Sequence, residues 1–272
     1  MSENMNKPVC GVIYVAVGER CAREAEKSLA SLRKTNPALK AMLLTDVASM
    51  DPTQWDEFKL DPSLGVQKQN AKSCKGKLNM DCAPWDRCLY LDTDTLVVGD
   101  LSPAFALLDR FEFVGEQLGG GHHYQVPGLP SSFPEISGGV LLWRPTEEAK
   151  KFFQKWREYY DKYDQSHLHK TFDQMSLRVA LWESKLNLGR LPSSYNLMPY
   201  FPKLLEGRAV ILHGRGDNIL RTMQWRSSWS DQWRVYIPTV GEMRHPKEMS
   251  WPHIIYTIYR MLAVKLRSVF GL

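Results

Sequence analysis

Apolar positions along this chain follow two periods, and the switches between them mark its elements. Residues 9–17 are a run rich in β-branched side chains that stops at Gly18, the pattern of a strand buried on both faces. Ala22, Ala25, Leu29 and Leu32 then recur at helical spacing until Pro37 closes the helix. Residues 41–44 form a second short strand that ends at Thr45-Asp46. Strand, helix, strand in this order predicts a parallel sheet with crossover helices. In such sheets ligands gather at the carboxyl ends of the strands.

Residues 51–75 are rich in Pro, Lys and Gln and read as surface structure, and 77–82 reads as the tail of a helix before Pro84. Residues 88–91, 111–116 and 136–143 are further strands, the last with Gly138-Gly139 inside it. Glycine within a strand marks the close approach of another group. Residues 117–134 hold many Gly, Pro and Ser residues plus His122 and His123 and predict a long loop. Thr146 caps a helix with Ala149, Phe152, Phe153, Trp156, Tyr160 and Tyr163 on one side, most simply a core face. A helix over 173–182 and a short strand over 209–212, ending at His213, complete the pattern.

The tail differs. Residues 251–272 contain no acid, carry Arg260, Lys265 and Arg267, and offer a broad apolar face, with helix-start residues at Ser250 and Pro252. Two readings fit: an amphipathic helix in a membrane interface, or a terminal helix docked on the core. Trp225, Trp229 and Trp233 recur every fourth residue just before it and fit a sugar-stacking platform, a membrane belt or plain core.

Composition narrows the class. The 272 residues carry a net charge of +5 that is not gathered into a block, which argues against a nucleic-acid partner. The five cysteines (Cys10, Cys21, Cys74, Cys82 and Cys88) are odd in number and lack zinc-finger spacing. With no signal-peptide pattern at the polar N-terminus, they read as reduced thiols in a cytoplasmic protein. No stretch is long and apolar enough to span a bilayer.

The chemistry centres on Asp92 and Asp94, which end the apolar run Leu89-Tyr90-Leu91. Residues i and i+2 of an extended chain point the same way, so both acids would face one point. Either they form a solvated turn, or they hold a hard divalent cation that carries substrate phosphates. Lys75 and Lys77, on the predicted helix before this strand, are surface lysines or phosphate contacts. Asp173 opens a helix, as a cap or as a partner for sugar hydroxyls, with Gln174 beside it. His213, followed by Gly214 and Arg215, is a structural strand-end histidine or the third ligand of a two-aspartate metal site.

Taken in order, these motifs resemble glycosyltransferase family 8, the glycogenin-like enzymes and the bacterial lipopolysaccharide galactosyl- and glucosyltransferases. The resemblance spans residues 9–220: the first strand, Lys-Leu at 77–78, Leu-Tyr-Leu-Asp-Thr-Asp-Thr-Leu-Val at 89–97, Ser-Gly-Gly-Val at 137–140, Asp-Gln at 173–174, Tyr-Asn at 195–196 and His213. It implies an α/β GT-A fold with a mostly parallel central sheet, a transferase domain over 1–220, and a Trp-rich connector with a basic amphipathic helical tail over 221–272.

The resemblance also implies roles. Asp92, Asp94 and His213 would bind Mn²⁺ or Mg²⁺, which bridges the diphosphate of a UDP-sugar. Asp92, with Thr93 beside it, would also touch the ribose. Val15, Ala16, Val17 and Gly18 would contact uridine, with Asp46 at the neighbouring strand end. Lys75 or Lys77 would meet the donor; the match is ambiguous by two positions. Asp173 would bind donor-sugar hydroxyls, and Gln174 would lie near the anomeric carbon.

Two departures bear on the donor. The family carries Asn-Ser-Gly or Asn-Ala-Gly where this chain has Ser137-Gly138-Gly139, and its Lys-Pro-Trp element after the histidine is missing here. Arg215 would replace the missing positive charge, since arginine binds phosphate bidentately. The expected activity is Mn²⁺-dependent transfer of glucose or galactose, with retention, from a UDP-hexose to a glycan or lipid-linked glycan. The protein would be cytoplasmic or peripheral on the membrane through residues 250–272. Two rivals stand beside it: a sugar-phosphate nucleotidyltransferase, and an inactive GT-A protein that binds glycans or membranes.

Overall fold

The computed structural model describes residues 7–66, 75–118, 128–164, 173–198, 202–215, 234–237 and 242–244, with single positions at 126, 255, 259 and 262. His122, His123, Phe172, the three spaced tryptophans, Cys74 and most of the tail lie outside the described residues. Of the tail, Ile255, Tyr259 and Leu262 are described; all three are helical and exposed.

The chain opens with β1 (Cys10–Ala16), α1 (Glu19–Thr35), β2 (Lys40–Thr45), β3 (Glu57–Leu60) and the single-turn α2 (Ser63–Val66). There follow β4 (Arg87–Leu91), β5 (Thr95–Val97), α3 (Ser102–Ala106), β6 (Phe113–Gln117), β7 (Ile136–Trp143), α4 (Glu147–Asp164) and α5 (Gln174–Glu183). β8 (Leu188–Leu191), β9 (Lys203–Leu205), β10 (Ile211–His213), β11 (Arg234–Ile237) and β12 (Glu242–Arg244) complete the described elements.

The main sheet has seven strands in the order β3-β2-β1-β4-β7-β6-β8. β3, β2, β1 and β4 run parallel, and β6 and β8 are parallel to each other. β7 is antiparallel to both its neighbours. This is the mostly parallel sheet that the alternation of strands and helices predicts.

Period-two alternation sorts each central strand between two cores. Val12, Tyr14, Leu89, Leu91, Val140 and Leu142 face the layer holding Leu29 and Leu32 of α1. Ile13, Val15, Tyr90, Leu141 and Trp143 face the opposite layer, with Phe152, Phe153 and Trp156 of α4 and Leu177 of α5. The aromatic side of α4 is therefore core at Phe152, Phe153, Trp156 and Tyr160. Thr146 caps it as expected, its Oγ1 accepting from the Ala149 amide at 3.2 Å.

Several expectations need correction. Residues 51–66 are mostly exposed, as expected of surface structure, but they add β3 at the sheet edge, a strand the sequence pattern does not mark. Residues 75–82 form an eight-residue 3₁₀ helix rather than an α-helical tail. A 3₁₀ helix turns 120° per residue, so Lys75 and Lys77 leave it in different directions. The acidic pair does not lie on extended chain: Asp92 follows β4, and Thr93-Asp94 is a turn into β5. β5 leaves the main sheet and pairs antiparallel with β10, setting His213 opposite Thr95. β11 pairs antiparallel with both β9 and β12 in a third, smaller sheet.

Candidate metal and donor site

The carboxyl ends of β1, β2 and β4 meet on one rim. Gly18 adopts φ 81°, open to glycine, and its amide donates to Asp46 Oδ1 at 2.7 Å, joining the ends of β1 and β2. The Asp92 amide donates to the Gly139 carbonyl at 2.9 Å, which fixes the end of β4 against β7.

Two carboxylates and an imidazole converge there. His213 Nε2 lies 3.4 Å from Asp92 Oδ2 and 3.3 Å from Asp94 Oδ1. One ligand atom from each of these three residues falls within 4.8 Å of the others, the one such group among the described residues. Asp92 Oδ1 is engaged elsewhere: the Tyr90 hydroxyl donates to it at 2.6 Å, and Lys77 Nζ lies 3.1 Å away. Its Oδ2 is the atom turned to the histidine.

The backbone leaves room for this cluster. A Cβ at Gly139 would fall 2.2 Å from His213 Cε1 and 2.9 Å from Asp92 Oδ2. A Cβ at Gly138 would fall 2.6 Å from Asp173 Oδ2 and 3.3 Å from Lys77 Nζ. The glycines inside β7 are therefore where site side chains press against strand backbone.

Charge balance follows from the packing. Burial disfavours ionised Asp92, yet the Lys77 charge and the hydrogen bond from His213 outweigh it and hold the carboxyl well below its ordinary range. Burial likewise opposes a charged His213, but hydrogen bonds to Asp92 and Asp94 prevail and push it up to about 9. The packing thus favours a charged imidazole beside the Asp92 carboxylate. A divalent cation suits the same place, since two carboxylates and an imidazole could each give it a ligand atom.

Lys77 joins this cluster to a second one. Its Nζ lies 2.9 Å from Asp173 Oδ2 and packs over the Tyr90 ring at 5.3 Å. Lys75 instead pairs with Asp161 of α4 at 2.7 Å. Asp173 is buried and makes no side-chain cap to α5; its carboxylate turns to the lysine. Its carbonyl accepts from Ser176 Oγ and from Trp156 Nε1, which ties the start of α5 to α4. The Gln174 amide bridges β7 backbone, accepting from Gly138 N at 3.3 Å and donating to Ile136 O.

The remaining sequence-selected residues are placed as follows. Val15 and Ala16 are buried at the end of β1, and Val17 follows them half-buried. Thr93 is buried and donates to Glu24 of α1 at 3.3 Å. Ser137 Oγ accepts from the Gly139 amide at 3.4 Å. Arg215 Nε lies 3.5 Å from Asp94 Oδ2 and 3.4 Å from Glu24 Oε1.

Sequence reasoning passed over Tyr90, Glu24, Glu116 and Lys203. Tyr90 had a signal, standing two residues before Asp92. Glu116 had another, an acid inside the apolar strand run of β6, where burial demands a partner. Glu24 and Lys203 look like ordinary surface charges in the sequence.

No family model matches the sequence, and no curated protein matches it. Solved structures do. The galactosyltransferase LgtC, solved with donor and acceptor sugar analogs, is 15% identical over 76% of this chain and 87% of its own, with a TM-score of 0.55. The glycosyltransferase GlyE of Streptococcus pneumoniae TIGR4 is 19% identical over 81% of this chain and 61% of its own, with a TM-score of 0.54. Mouse xyloside xylosyltransferase 1 is 13% identical over 76% of this chain and 98% of its own, with a TM-score of 0.50. At these identities the likeness is one of fold: the chain has the GT-A fold of these glycosyltransferases.

Proposed function

We propose that this chain is a divalent-cation-dependent glycosyltransferase of the family 8 type, moving a hexose from a UDP-sugar to a hydroxyl of a glycan or glycolipid with retention of configuration. The observation that carries the reading is the convergence of Asp92, Asp94 and His213 at the strand ends, with the Lys77–Asp173 pair beside them. A bare pair of acids one residue apart is a weak signal. Joined to a histidine from a distant strand and a buried lysine on the GT-A fold, it becomes a specific one.

Asp92, Asp94 and His213 would hold the cation, which when bound neutralises charge on the donor diphosphate. The other residues act through fixed charge and position. Arg215 and Lys77 add positive potential where the leaving phosphate gathers charge. Asp173 accepts from donor-sugar hydroxyls. Val15 to Gly18 and Asp46 line the nucleoside end. Gln174, held by β7 through both ends of its amide, is a rigid polar wall near the anomeric carbon and a poor nucleophile. Retention then follows from front-face attack. The acceptor oxygen bonds to the anomeric carbon as the bond to phosphate breaks, and its proton passes to the departing phosphate oxygen.

Glucose or galactose as the transferred sugar, Mn²⁺ as the ion, and a lipid-linked or lipopolysaccharide-type acceptor belong to the same proposal. So does peripheral attachment to the cytoplasmic membrane face through the basic tail. Among the described residues no helix is long and apolar enough to cross a membrane. A hydrolysis panel of UDP-sugars, with Mn²⁺ and with chelator, tests the reading. Cation-dependent release of UDP from one hexose donor is expected, and no turnover of any UDP-sugar would sink it.

A further inference from the structure

Behind His213, on the side away from the two aspartates, lies a buried polar chain that the proposed chemistry does not use. Glu116 of β6 and Lys203 of β9 form an ion pair with both side chains only 1% exposed. Removing two charges from water is expensive, and such a pair is weak evidence for stability. Here its second contact is informative. Asn196, fully buried, donates from Nδ2 to Glu116 Oε2 at 3.3 Å, while its backbone carbonyl accepts from Lys203 Nζ at 3.2 Å. Its remaining side-chain atom, Oδ1, lies 2.8 Å from His213 Nδ1.

The donor and acceptor rules make this chain directional. Burial raises the Glu116 carboxyl and lowers the Lys203 ammonium, each opposed by the other's charge. Paired with that lysine, the carboxylate accepts, so the amide group facing Glu116 is the NH₂ of Asn196. That leaves the amide oxygen facing His213, and an oxygen there requires Nδ1 to carry the hydrogen. With the proton fixed on Nδ1, the lone pair of a neutral imidazole sits on Nε2, the nitrogen that faces Asp92 and Asp94. Backbone contacts hold the geometry: His213 N donates to Leu197 O at 2.9 Å, and Leu197 N donates to Ile211 O at 3.0 Å.

We infer that Asn196, oriented by the buried Glu116–Lys203 pair, is a positioning residue that sets the tautomer and aim of His213 toward a cation held with Asp92 and Asp94. The inference rests on the metal reading of those three residues. The ion pair, remote from substrate, thereby has a function that stability does not explain.

The test is Mn²⁺ affinity measured by titration calorimetry on the full chain at neutral pH, beside the thermal midpoint of the chelator-treated protein. Two variants are compared: Asn196→Ala, which removes the acceptor, and Glu116→Gln combined with Lys203→Met, which removes the orienting charges at similar volume. Both are expected to weaken Mn²⁺ binding by about 10- to 100-fold. The double variant should keep its thermal midpoint, because neutral replacement of a buried pair is often harmless. In a His213→Ala background, Asn196→Ala should add little further loss, since the two act as one unit. If Asn196→Ala fails to fold, the double variant decides. Wild-type Mn²⁺ affinity in a folded variant overturns this inference alone. Affinity loss that only tracks loss of folded protein also overturns it. A wild-type chain that binds no divalent cation overturns the metal reading with it. Because the readout is affinity, it decides the point whether or not any sugar is transferred.

Discussion

Lys77 Nζ stands 2.9 Å from the Asp173 carboxylate, with side-chain exposures of 10% and 7%. This contact joins the 3₁₀ segment before β4 to the start of α5. Breaking a buried pair from one side strands the other charge, at a cost of ~3–5 kcal/mol. Lys77→Met should therefore lower unfolding free energy by about that much in chemical denaturation. Adding Asp173→Asn should recover part of the loss, since Asp92 still lacks its lysine, and a double variant less stable than Lys77→Met would refute the pairing.

Asp92 offers Oδ2 to His213 while Tyr90 and Lys77 hold its Oδ1. Asp92→Asn removes the charge that a cation needs at nearly constant shape. Mn²⁺-dependent turnover of any UDP-sugar should disappear, and wild-type activity in this variant would end the metal assignment.

The raised His213 pKa makes two opposite pH dependences. In the metal-free protein the imidazolium is stabilised by Asp92 and Asp94, up to about 9 against an ordinary 6.5. Its stabilising contribution is full below about 6.5 and fades as pH rises through about 9. Metal binding must expel that proton, so Mn²⁺ affinity should climb with pH until about 9 and level off above it. Thermal melts with chelator and calorimetric titrations in buffers of differing ionisation enthalpy read both. His213→Gln should flatten the apo profile; an unchanged slope in that variant would reassign the titration.

Gly139 is where strand backbone meets the Asp92–His213 cluster. Gly139→Ala places a methyl 2.2 Å from His213 Cε1, so the ring must move. Overpacking of this kind costs ~1–3 kcal/mol, and Mn²⁺ affinity should fall with it. Gly128→Ala is the control: its φ of +82° makes the change strained, but the added atom meets nothing within 4 Å. It should lose some stability and no metal affinity.

The basic tail gives a separate prediction. Deleting residues 250–272 should abolish partitioning onto anionic liposomes and leave soluble UDP-sugar hydrolysis in place. Unchanged liposome binding would remove the tail as an anchor.

What the sequence determined by itself was local. The β-branched run of β1, the spacing of Ala22, Ala25, Leu29 and Leu32, the aromatic side of α4 and the glycines inside β7 are patterns that survive into the fold, because both faces of the inner strands β1, β4 and β7 are buried and select apolar residues there. The acids at the end of β4 were legible for the same reason: charge at the end of a buried run needs an explanation.

Tertiary structure decided what meets what. Sequence left Lys75 and Lys77 equivalent; the 3₁₀ turn sends one to Asp161 and the other between Asp92 and Asp173. It also left Asp173 open as a helix cap, and the described helix start has no such bond. Extended geometry was to aim the two aspartates together; instead a turn does so, while the pairing of β5 with β10 brings His213 to them. Glu116, Lys203 and Asn196 reach one another across strands far apart in sequence. No local period encodes such contacts, since they arise only when the three sheets assemble and a buried polar group must find its partner.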